Sequence, residues 1–158
     1  MDGGEMAMDF ARVEGDRKRY LPLLLLGDEQ EDMIDRYLAR GEMVALCEAG
    51  EALAICVVTD EEDGVVEIKN LAVTPQRQRQ GLGRRMIREI EQHYAGRYRL
   101  LRVGTGDSPL TVPFYEACGF VRAGAIPDFF TEHYDHPIIE AGVLLRDMVI
   151  LEKRIGGG

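Results

Sequence analysis

The chain has 158 residues, of which 46% are hydrophobic and 30% are charged, and its net charge is −9. These values predict one soluble globular domain over residues 1–158, with loose ends at about residues 1–7 and 156–158. The acidic excess argues against nucleic acid as a partner and favours a cationic small molecule. No apolar run approaches the roughly 20 residues of a membrane helix. Since the three cysteines have no metal-site spacing, we expect reduced thiols in a cytoplasmic protein without a metal.

Two helices are predicted after a first strand over residues 9–13. Asp16 is placed to cap the first helix, and Pro22 interrupts its pattern. Asp28 is placed to cap the second helix, with Glu31 at the capping-box position. Four apolar residues at helical spacing form the predicted buried face of that second helix: Met33, Ile34, Tyr37 and Leu38.

Three strands and a helix are predicted in the middle of the chain. The first two strands cover residues 43–47 and 52–58 and are joined by a hairpin turn. The third is the β-rich run from Val65 to Val73, which Pro75 ends. A helix follows over residues 83–94, because apolar residues recur on one face at steps of three and four.

The last third of the chain predicts a strand over residues 99–103, which the following glycines end, and a short helix over residues 111–117. Another strand is predicted over residues 120–125. Residues 127–142 contain two prolines without clean periodicity and predict a long functional loop. Residues 143–155 return to a strand that is apolar on both faces, which indicates an interior position in the sheet.

The turn Gln78–Gly83 joins the buried strand to the helix that follows it. Gly81 and Gly83 remove side chains where that helix begins, and a helix start presents unpaired N–H groups at the positive end of its dipole. The sequence therefore predicts a phosphate-binding turn. The alternative is an ordinary strand-to-helix turn, in which the glycines only give the backbone conformational freedom and bind no ligand. The pattern is neither a dinucleotide-binding fingerprint nor a P-loop, because the third glycine and the Gly-Lys-Ser/Thr are absent.

This strand and turn resemble the signature of the GCN5-related N-acetyltransferases, whose pyrophosphate-binding turn reads Gln/Arg-x-x-Gly-x-Gly/Ala. Gln78, Gly81 and Gly83 fill that pattern, and Pro113–Phe120 is similar to the family's Tyr-Glu-x-x-Gly-Phe segment. The resemblance implies an α/β (α+β) fold with a mixed, mostly antiparallel sheet of about seven strands and helices on both faces. It also implies an acyltransferase that uses acetyl-CoA as co-substrate.

The resemblance further implies where the coenzyme binds. The strand end would pair with the pantetheine amides, the Val73 N–H would polarise the thioester carbonyl, and the turn would hold the pyrophosphate. Relatives commonly carry Asn where this chain has Ser108. The coenzyme-binding residues expected on this basis are Leu71, Ala72, Val73, Gln78, Arg79, Gln80, Gly81, Leu82, Gly83, Arg84 and Ser108.

Acetyl transfer to an amine needs a group that removes a proton, because a primary ammonium has a pKa of about 10. The resemblance implies Glu67 as this general base, acting directly or through water, and Tyr115 as the general acid that protonates the leaving thiolate. The residues alone leave another interpretation for each. Glu67 would then be an outward-facing glutamate paired with Lys69, and Tyr115 a core aromatic between Phe114 and Phe120.

In the family, the acceptor pocket is built by the first helical region and the loop before the last strand. No Lys or Arg occurs between Arg122 and Arg146, and carboxylates alternate there with aromatic residues. This composition suits a cationic amine, and the alternative is a solvated acidic loop. The expected acceptor-binding residues are Asp32, Phe129, Phe130, Glu132, His133 and Tyr134.

Three functions follow from these expectations. The first is acetyl transfer from acetyl-CoA to a small amine, and the second is acetylation of protein lysines or N-termini. The third is a regulatory module that binds acyl-CoA without turnover. The resemblance also leaves room for a homodimer, since dimers are frequent in the family.

Overall fold

The computed structural model describes residues 8–156, so the loose ends predicted at residues 1–7 and 157–158 lie outside the described part of the chain. Gly156 is packed and is not a loose end. A Cβ atom there would lie 2.2 Å from the carbonyl oxygen of Ala95 and 2.6 Å from that of Tyr98.

Up to residue 126 the strands and helices follow the predicted order, and beyond it the structure has one more helix and two more strands than predicted. The strands are β1 Asp9–Arg12, β2 Glu42–Glu48, β3 Glu51–Asp60, β4 Val65–Val73, β5 Leu100–Gly106, β6 Val121–Ile126, β7 Ile139–Glu140, β8 Val143–Leu144 and β9 Met148–Arg154. The helices are α1 Leu21–Gly27, α2 Glu31–Leu38, α3 Leu82–Tyr94, α4 Val112–Ala117 and α5 Phe129–His133. None of the helices formed by residues 8–156 is long and apolar enough to cross a membrane.

Among the described residues, seven strands form one sheet in the order β1-β2-β3-β4-β5-β9-β6, and β7 pairs with β8 in a separate hairpin. The pairs β1–β2, β2–β3, β5–β9 and β6–β9 are antiparallel, whereas β4–β5 is parallel. The predicted mixed, mostly antiparallel sheet of about seven strands is confirmed. Strand β9 lies between β5 and β6, as expected for a strand that is apolar on both faces.

The chain divides into two compact units. The first runs to Thr59 and resumes at Lys69–Ile90, and the second comprises Asp60–Ile68 and the chain from Glu91 onward. Strand β4 therefore contributes its first part to the second unit and its last part to the first unit. The single domain expected over residues 1–158 stays a prediction.

Two helix starts in the first unit differ from the prediction. Asp16 accepts a hydrogen bond from the Lys18 amide at 3.1 Å, but it caps a 3-10 turn, and α1 begins separately with Pro22 in its first turn. Proline fits there because the first helical N–H groups have no intrahelical partner. Asp28 does not cap α2, since Gln30 occupies the N-cap position. Instead, the Asp28 carboxylate accepts a hydrogen bond from the Tyr37 hydroxyl at 2.9 Å.

A buried asparagine joins α1 and α2 to β4. Asn70 is 2% exposed, and its Nδ2 donates to the Leu24 carbonyl at 2.9 Å and to the Tyr37 hydroxyl at 3.1 Å. Burial and the nearby charge of Asp28 raise the pKa of Tyr37. This hydroxyl therefore stays protonated and can donate its hydrogen bond to Asp28. Helix α1 also approaches very closely here, because a Cβ on Gly27 would lie 2.1 Å from the Asn70 Oδ1.

The sequence predicts that strand β5 ends at Val103. In the structure this strand continues to Gly106. A Cβ on Gly104 would lie 2.5 Å from the Met148 Sδ, and one on Gly106 would lie 2.4 Å from the Leu145 Cδ1. Neighbouring side chains thus fill the space above these glycines. The glycines are needed within the strand for close packing, and they do not break it.

The region after β6 also differs from the prediction. Residues 127–142 contain α5 and β7 and are therefore not a continuous loop. The strand expected over residues 143–155 is divided into β8 and β9. Between these two strands, Leu145 is buried in a small cluster with Phe130 and Ile138, and the Phe130 N–H donates to the Arg146 carbonyl at 2.9 Å. Because residues 145 and 146 pack against α5 in this way, the strand predicted over residues 143–155 is interrupted between β8 and β9.

Candidate active site

The segment between β4 and α3 changes direction at two residues with positive φ, Arg79 at 64° and Gly81 at 82°. The Gln78 side chain closes the turn, because its Nε2 donates to the Val73 carbonyl at the end of β4, at 3.0 Å. A Cβ on Gly81 would have no heavy atom within 4 Å. One side of the turn is thus open to a group approaching the backbone.

Helix α3 begins directly after this open turn. Its hydrogen bonding starts with the Arg85 N–H, which donates to the Gly81 carbonyl at 2.9 Å. Helix geometry therefore leaves the N–H groups of Leu82, Gly83 and Arg84 without an intrahelical acceptor. These three N–H groups and the positive end of the helix dipole make the turn electrostatically favourable for an anion.

Arg77 braces the turn from its other side. Its Nη1 lies 2.9 Å from the Glu48 Oε1, and its Nε donates to the Gln80 Oε1 at 2.9 Å. Arg79 and Arg84 are exposed. Of the three arginines that could reach a phosphate, Arg77 is thus held by internal partners, which leaves Arg79 and Arg84 as the better-placed cations.

The end of β4 combines buried and accessible positions. Ala72 is buried in the core of the first unit, whereas Leu71 and Val73 are half-buried. The Thr74 N–H donates to the Leu53 carbonyl at 2.8 Å, which anchors the end of the strand. The side chains of Leu71 and Val73 alternate with that of Ala72, as expected for a strand with one face in the core.

Glu67 on β4 is 9% exposed and lies among buried apolar neighbours. It is thus a buried carboxylate and not the outward-facing one of the alternative interpretation. Arg102 occupies the partner position on β5, and its Nη1 is 3.9 Å from the Glu67 Oε1. The Arg102 Nε donates to the Glu152 Oε2 on β9 at 3.1 Å. Neither Arg102 nor Glu152 was singled out from the sequence, because 35 positions or more separate each from Glu67 and no local spacing connects them.

Tyr115 lies on α4 and is 7% exposed. Its ring centroid is 5.0 Å from that of Phe114 and 5.5 Å from that of Phe120, both in edge-on geometry. The aromatic contacts of the core interpretation are therefore present. They fix the position of the ring, and its role as an acid stays a prediction.

Ser108 is 3% exposed and makes internal hydrogen bonds. Its hydroxyl donates to the Glu140 Oε1 at 2.5 Å and accepts from the Leu110 N–H at 3.1 Å. These contacts tie β7 to the turn that precedes α4. The expected coenzyme contact of Ser108 stays a prediction, and no local pattern in the sequence indicates its pairing with Glu140.

The aromatic residues expected in the acceptor site form a small core of their own. Phe130 is buried and stacks on Tyr134 at 5.5 Å, whereas Phe129 is half-buried and lies 4.6 Å from the His133 ring. Glu132 and His133 are exposed. The side chains of Glu132 and His133 are thus more accessible to a ligand than the rings of Phe129, Phe130 and Tyr134.

Asp32 lies in the first unit, exposed in the first turn of α2, and accepts a hydrogen bond from the Gln30 Nε2 at 2.6 Å.

The described part of the chain contains no group of three or more His, Cys, Asp or Glu side chains placed to hold a metal. Cys47, Cys56 and Cys118 form no disulfide with one another, and burial raises the pKa of the Cys56 thiol.

Comparison with known proteins identifies the family. The sequence profile of the acetyltransferase (GNAT) domain matches residues 39–122. The uncharacterised N-acetyltransferase YvbK of Bacillus subtilis (strain 168) is 36% identical over 131 residues, which are 82% of this chain and 84% of that protein.

Two solved structures extend the similarity to the whole fold. A GNAT family acetyltransferase from Elizabethkingia anophelis with acetyl-CoA bound has a TM-score of 0.88 and 28% identity, covering 93% of this chain and 97% of that one. A Bacillus subtilis acetyltransferase in complex with CoA has a TM-score of 0.85 and 32% identity, covering 94% and 99%. The chain therefore belongs to the GCN5-related N-acetyltransferase family and is an acyltransferase.

Proposed function

We propose that this acyltransferase transfers the acetyl group of acetyl-CoA to the primary amine of a small cationic molecule. The observation that carries the proposal is the open, glycine-containing turn at the start of α3, where Leu82, Gly83 and Arg84 present backbone N–H groups. The diphosphate of a coenzyme suits such a turn. Support also comes from the two solved relatives, one with acetyl-CoA and one with CoA bound.

In this proposal the backbone of residues 78–84 holds the pyrophosphate, with Arg79 and Arg84 as additional cations. The pantetheine arm pairs with the end of β4 at Leu71–Val73. The Val73 N–H then stabilises negative charge on the thioester oxygen as the reaction proceeds. Because that donor belongs to the backbone, substitution of the Val73 side chain leaves it in place.

The reaction begins with removal of a proton from the ammonium of the acceptor, and Glu67 accepts it directly or through water. The neutral nitrogen attacks the thioester carbon, so a C–N bond forms and the carbonyl oxygen becomes an oxyanion. Collapse of this intermediate breaks the C–S bond and releases the CoA thiolate, while the nitrogen loses its excess proton to solvent and becomes the amide N–H. Tyr115 protonates the thiolate, which is feasible because a phenol and a thiol have ordinary pKa values of about 10 and about 8.5. Solvent then restores both protonation states.

A cationic acceptor is supported by charge. The protein has a net charge of −9, and residues 128–140 carry four carboxylates and no Lys or Arg. These carboxylates are Asp128, Glu132, Asp135 and Glu140. Since an acidic surface also attracts basic peptides, acetylation of a protein lysine or N-terminus is the alternative acceptor chemistry.

A thiol-release assay tests the proposed function. The purified protein is mixed with acetyl-CoA and a panel of polyamines, amino sugars, amino acids and a lysine-rich peptide. Release of free CoA thiol is followed, and the masses of the products are measured by mass spectrometry. We expect thiol release that depends on a small cationic amine and a product heavier by one acetyl group. Acetylation of the peptide alone would favour the alternative acceptor. Absence of both turnover and CoA binding in calorimetry would contradict the proposal.

Replacement of Gly81 by Ala should weaken CoA binding about tenfold, or by about 1.4 kcal/mol. The new methyl group would project into the open side of the turn, where the phosphate would bind. Gly50→Ala is the matched control, because Gly50 in the β2–β3 hairpin has the same φ of 82° and also has no heavy atom within 4 Å of a Cβ. Both variants should lose about 1 kcal/mol of stability through backbone strain. Calorimetry with CoA separates them, and equal affinities would contradict the assigned phosphate turn.

A further inference from the structure

The row of charged side chains across β4, β5 and β9 has no role in binding the coenzyme as described above. We propose that Arg102 is a positioning residue that holds the carboxylate of Glu67 in place for proton removal, and that Glu152 in turn orients Arg102. This inference rests on the proposed role of Glu67 as the general base. It adds two residues to the reaction that neither the turn nor the family motifs contain.

Strand register brings the three side chains together. Glu67 lies opposite Arg102 in the parallel β4–β5 pair, and Arg102 lies opposite Glu152 in the antiparallel β5–β9 pair. Residues directly opposite each other point to the same face of a sheet, and neighbouring strands are about 4.8 Å apart. The three residues therefore form one continuous row, entirely within the second compact unit.

The burial of Glu67 makes a cationic neighbour necessary. An ionised carboxylate at 9% exposure is costly unless a charged or hydrogen-bonding group compensates it. Arg102 provides a cation that stays charged at every pH at which the enzyme works. Arg102 therefore lies where its positive charge compensates the negative charge of the buried carboxylate.

The unequal distances in the row indicate how Glu67 remains able to accept a proton. The Arg102 Nη1 is 3.9 Å from the Glu67 Oε1, which is too long for a hydrogen bond, whereas the Arg102 Nε donates to Glu152 at 3.1 Å. Glu152 thus draws the guanidinium toward β9. A guanidinium that closed on Glu67 would bind the carboxylate in a strong charge-assisted pair and make it a poorer proton acceptor. The observed spacing holds the carboxylate without that competition.

The test is a double-mutant cycle on kcat. Arg102→Gln should lower kcat about tenfold and leave the KM for acetyl-CoA unchanged, because the coenzyme contacts other residues. Arg102→Lys keeps the positive charge and should restore kcat to within about threefold of the wild type. In a Glu67→Gln background, Arg102→Gln should have no further effect, since two residues that act as a unit are not additive. The cycle is measured at pH 9, where a larger share of the amine is neutral and the Glu67→Gln variant keeps a measurable rate.

Two more variants sharpen the test. Glu152→Gln should lower kcat about threefold to tenfold, because it frees Arg102 to close on Glu67, and this effect should also vanish in the Glu67→Gln background. Arg154→Gln is the matched control, since it removes an exposed guanidinium from the same strand β9 and should leave kcat unchanged. CoA affinity and the thermal midpoint of each variant show that it is folded.

The outcomes separate the inference from the proposed function. An unchanged kcat in both Arg102→Gln and Glu152→Gln would overturn the inference, and so would losses of the same size with and without Glu67. If Arg102→Gln does not fold, Glu152→Gln decides by the same cycle. If Glu67→Gln itself keeps the full rate at neutral pH, the assignment of the base fails first, and the positioning role fails with it.

Discussion

The Glu67→Gln variant should have a kcat about 100- to 1,000-fold below that of the wild type at neutral pH. Glutamine has nearly the same shape but cannot accept a proton from the ammonium of the acceptor. CoA affinity should be unchanged, because Glu67 does not belong to the phosphate turn or to the end of β4. Thiol release at saturating acetyl-CoA and amine measures the rate, and calorimetry measures CoA binding.

Two comparisons make this result specific. Glu62→Gln is the matched control, since it changes an exposed glutamate in the β3–β4 turn of the same compact unit and should leave kcat unchanged. The deficit of Glu67→Gln should also shrink as the pH rises toward about 10, because the amine then loses its proton without help. A full rate at neutral pH, or a deficit that is independent of pH, would count against Glu67 as the base.

Replacement of Gly27 by Ala should destabilise the protein by about 2–4 kcal/mol. The new Cβ would lie 2.1 Å from the Asn70 Oδ1, 2.9 Å from its Cγ and 3.2 Å from the Leu71 carbonyl oxygen. Asn70 cannot move away freely, because its Nδ2 is bound to Leu24 and Tyr37. Either those hydrogen bonds are lost or α1 shifts from β4.

For a chain of this size, that destabilisation corresponds to a fall in Tm of about 5–15 °C. Differential scanning calorimetry, or urea unfolding, measures it. Gly96→Ala is the control, since a Cβ at this exposed glycine meets no heavy atom within 4 Å. It should change Tm by no more than a degree or two. If Gly27→Ala unfolds at the same temperature as Gly96→Ala, the close approach of α1 to Asn70 is not a source of stability.

The parts of the fold that local chemistry determines could be predicted from the sequence. The four residues expected on the inner face of α2 are all buried, because a spacing of three and four residues places them on one side of a helix. Strand β4 and helix α3 likewise lie where the apolar patterns and Pro75 place them, to within one residue. In each case the signal lies within a window of about 15 residues.

Features that depend on contacts distant in sequence could not be predicted in this way. Asp28 has the composition of a helix cap, but its carboxylate binds the Tyr37 hydroxyl nine positions away. Residues 143–155 look like one strand, but the burial of Leu145 beside Phe130 interrupts them. Local propensity is a weak guide wherever a tertiary contact of this kind is available.

The candidate site shows the same division. The turn from Gln78 to Gly83 could be recognised because its glycines and its helix are contiguous in the chain. Arg102 and Glu152 could not, since only the register of three strands brings them to Glu67. Glu140 accepts a hydrogen bond from Ser108, which is 32 positions away in the sequence, and no local spacing of residues predicts that hydrogen bond.

The two glycines within β5 have a consequence for how this chain can change in evolution. Met148 occupies the space above Gly104, and Leu145 occupies the space above Gly106, so the volume at each place is shared between two distant residues. A larger residue at either glycine is compatible with the fold only when its partner becomes smaller at the same time. Among descendants of this sequence, substitutions at positions 104 and 148, and at 106 and 145, should therefore be inherited as compensated pairs.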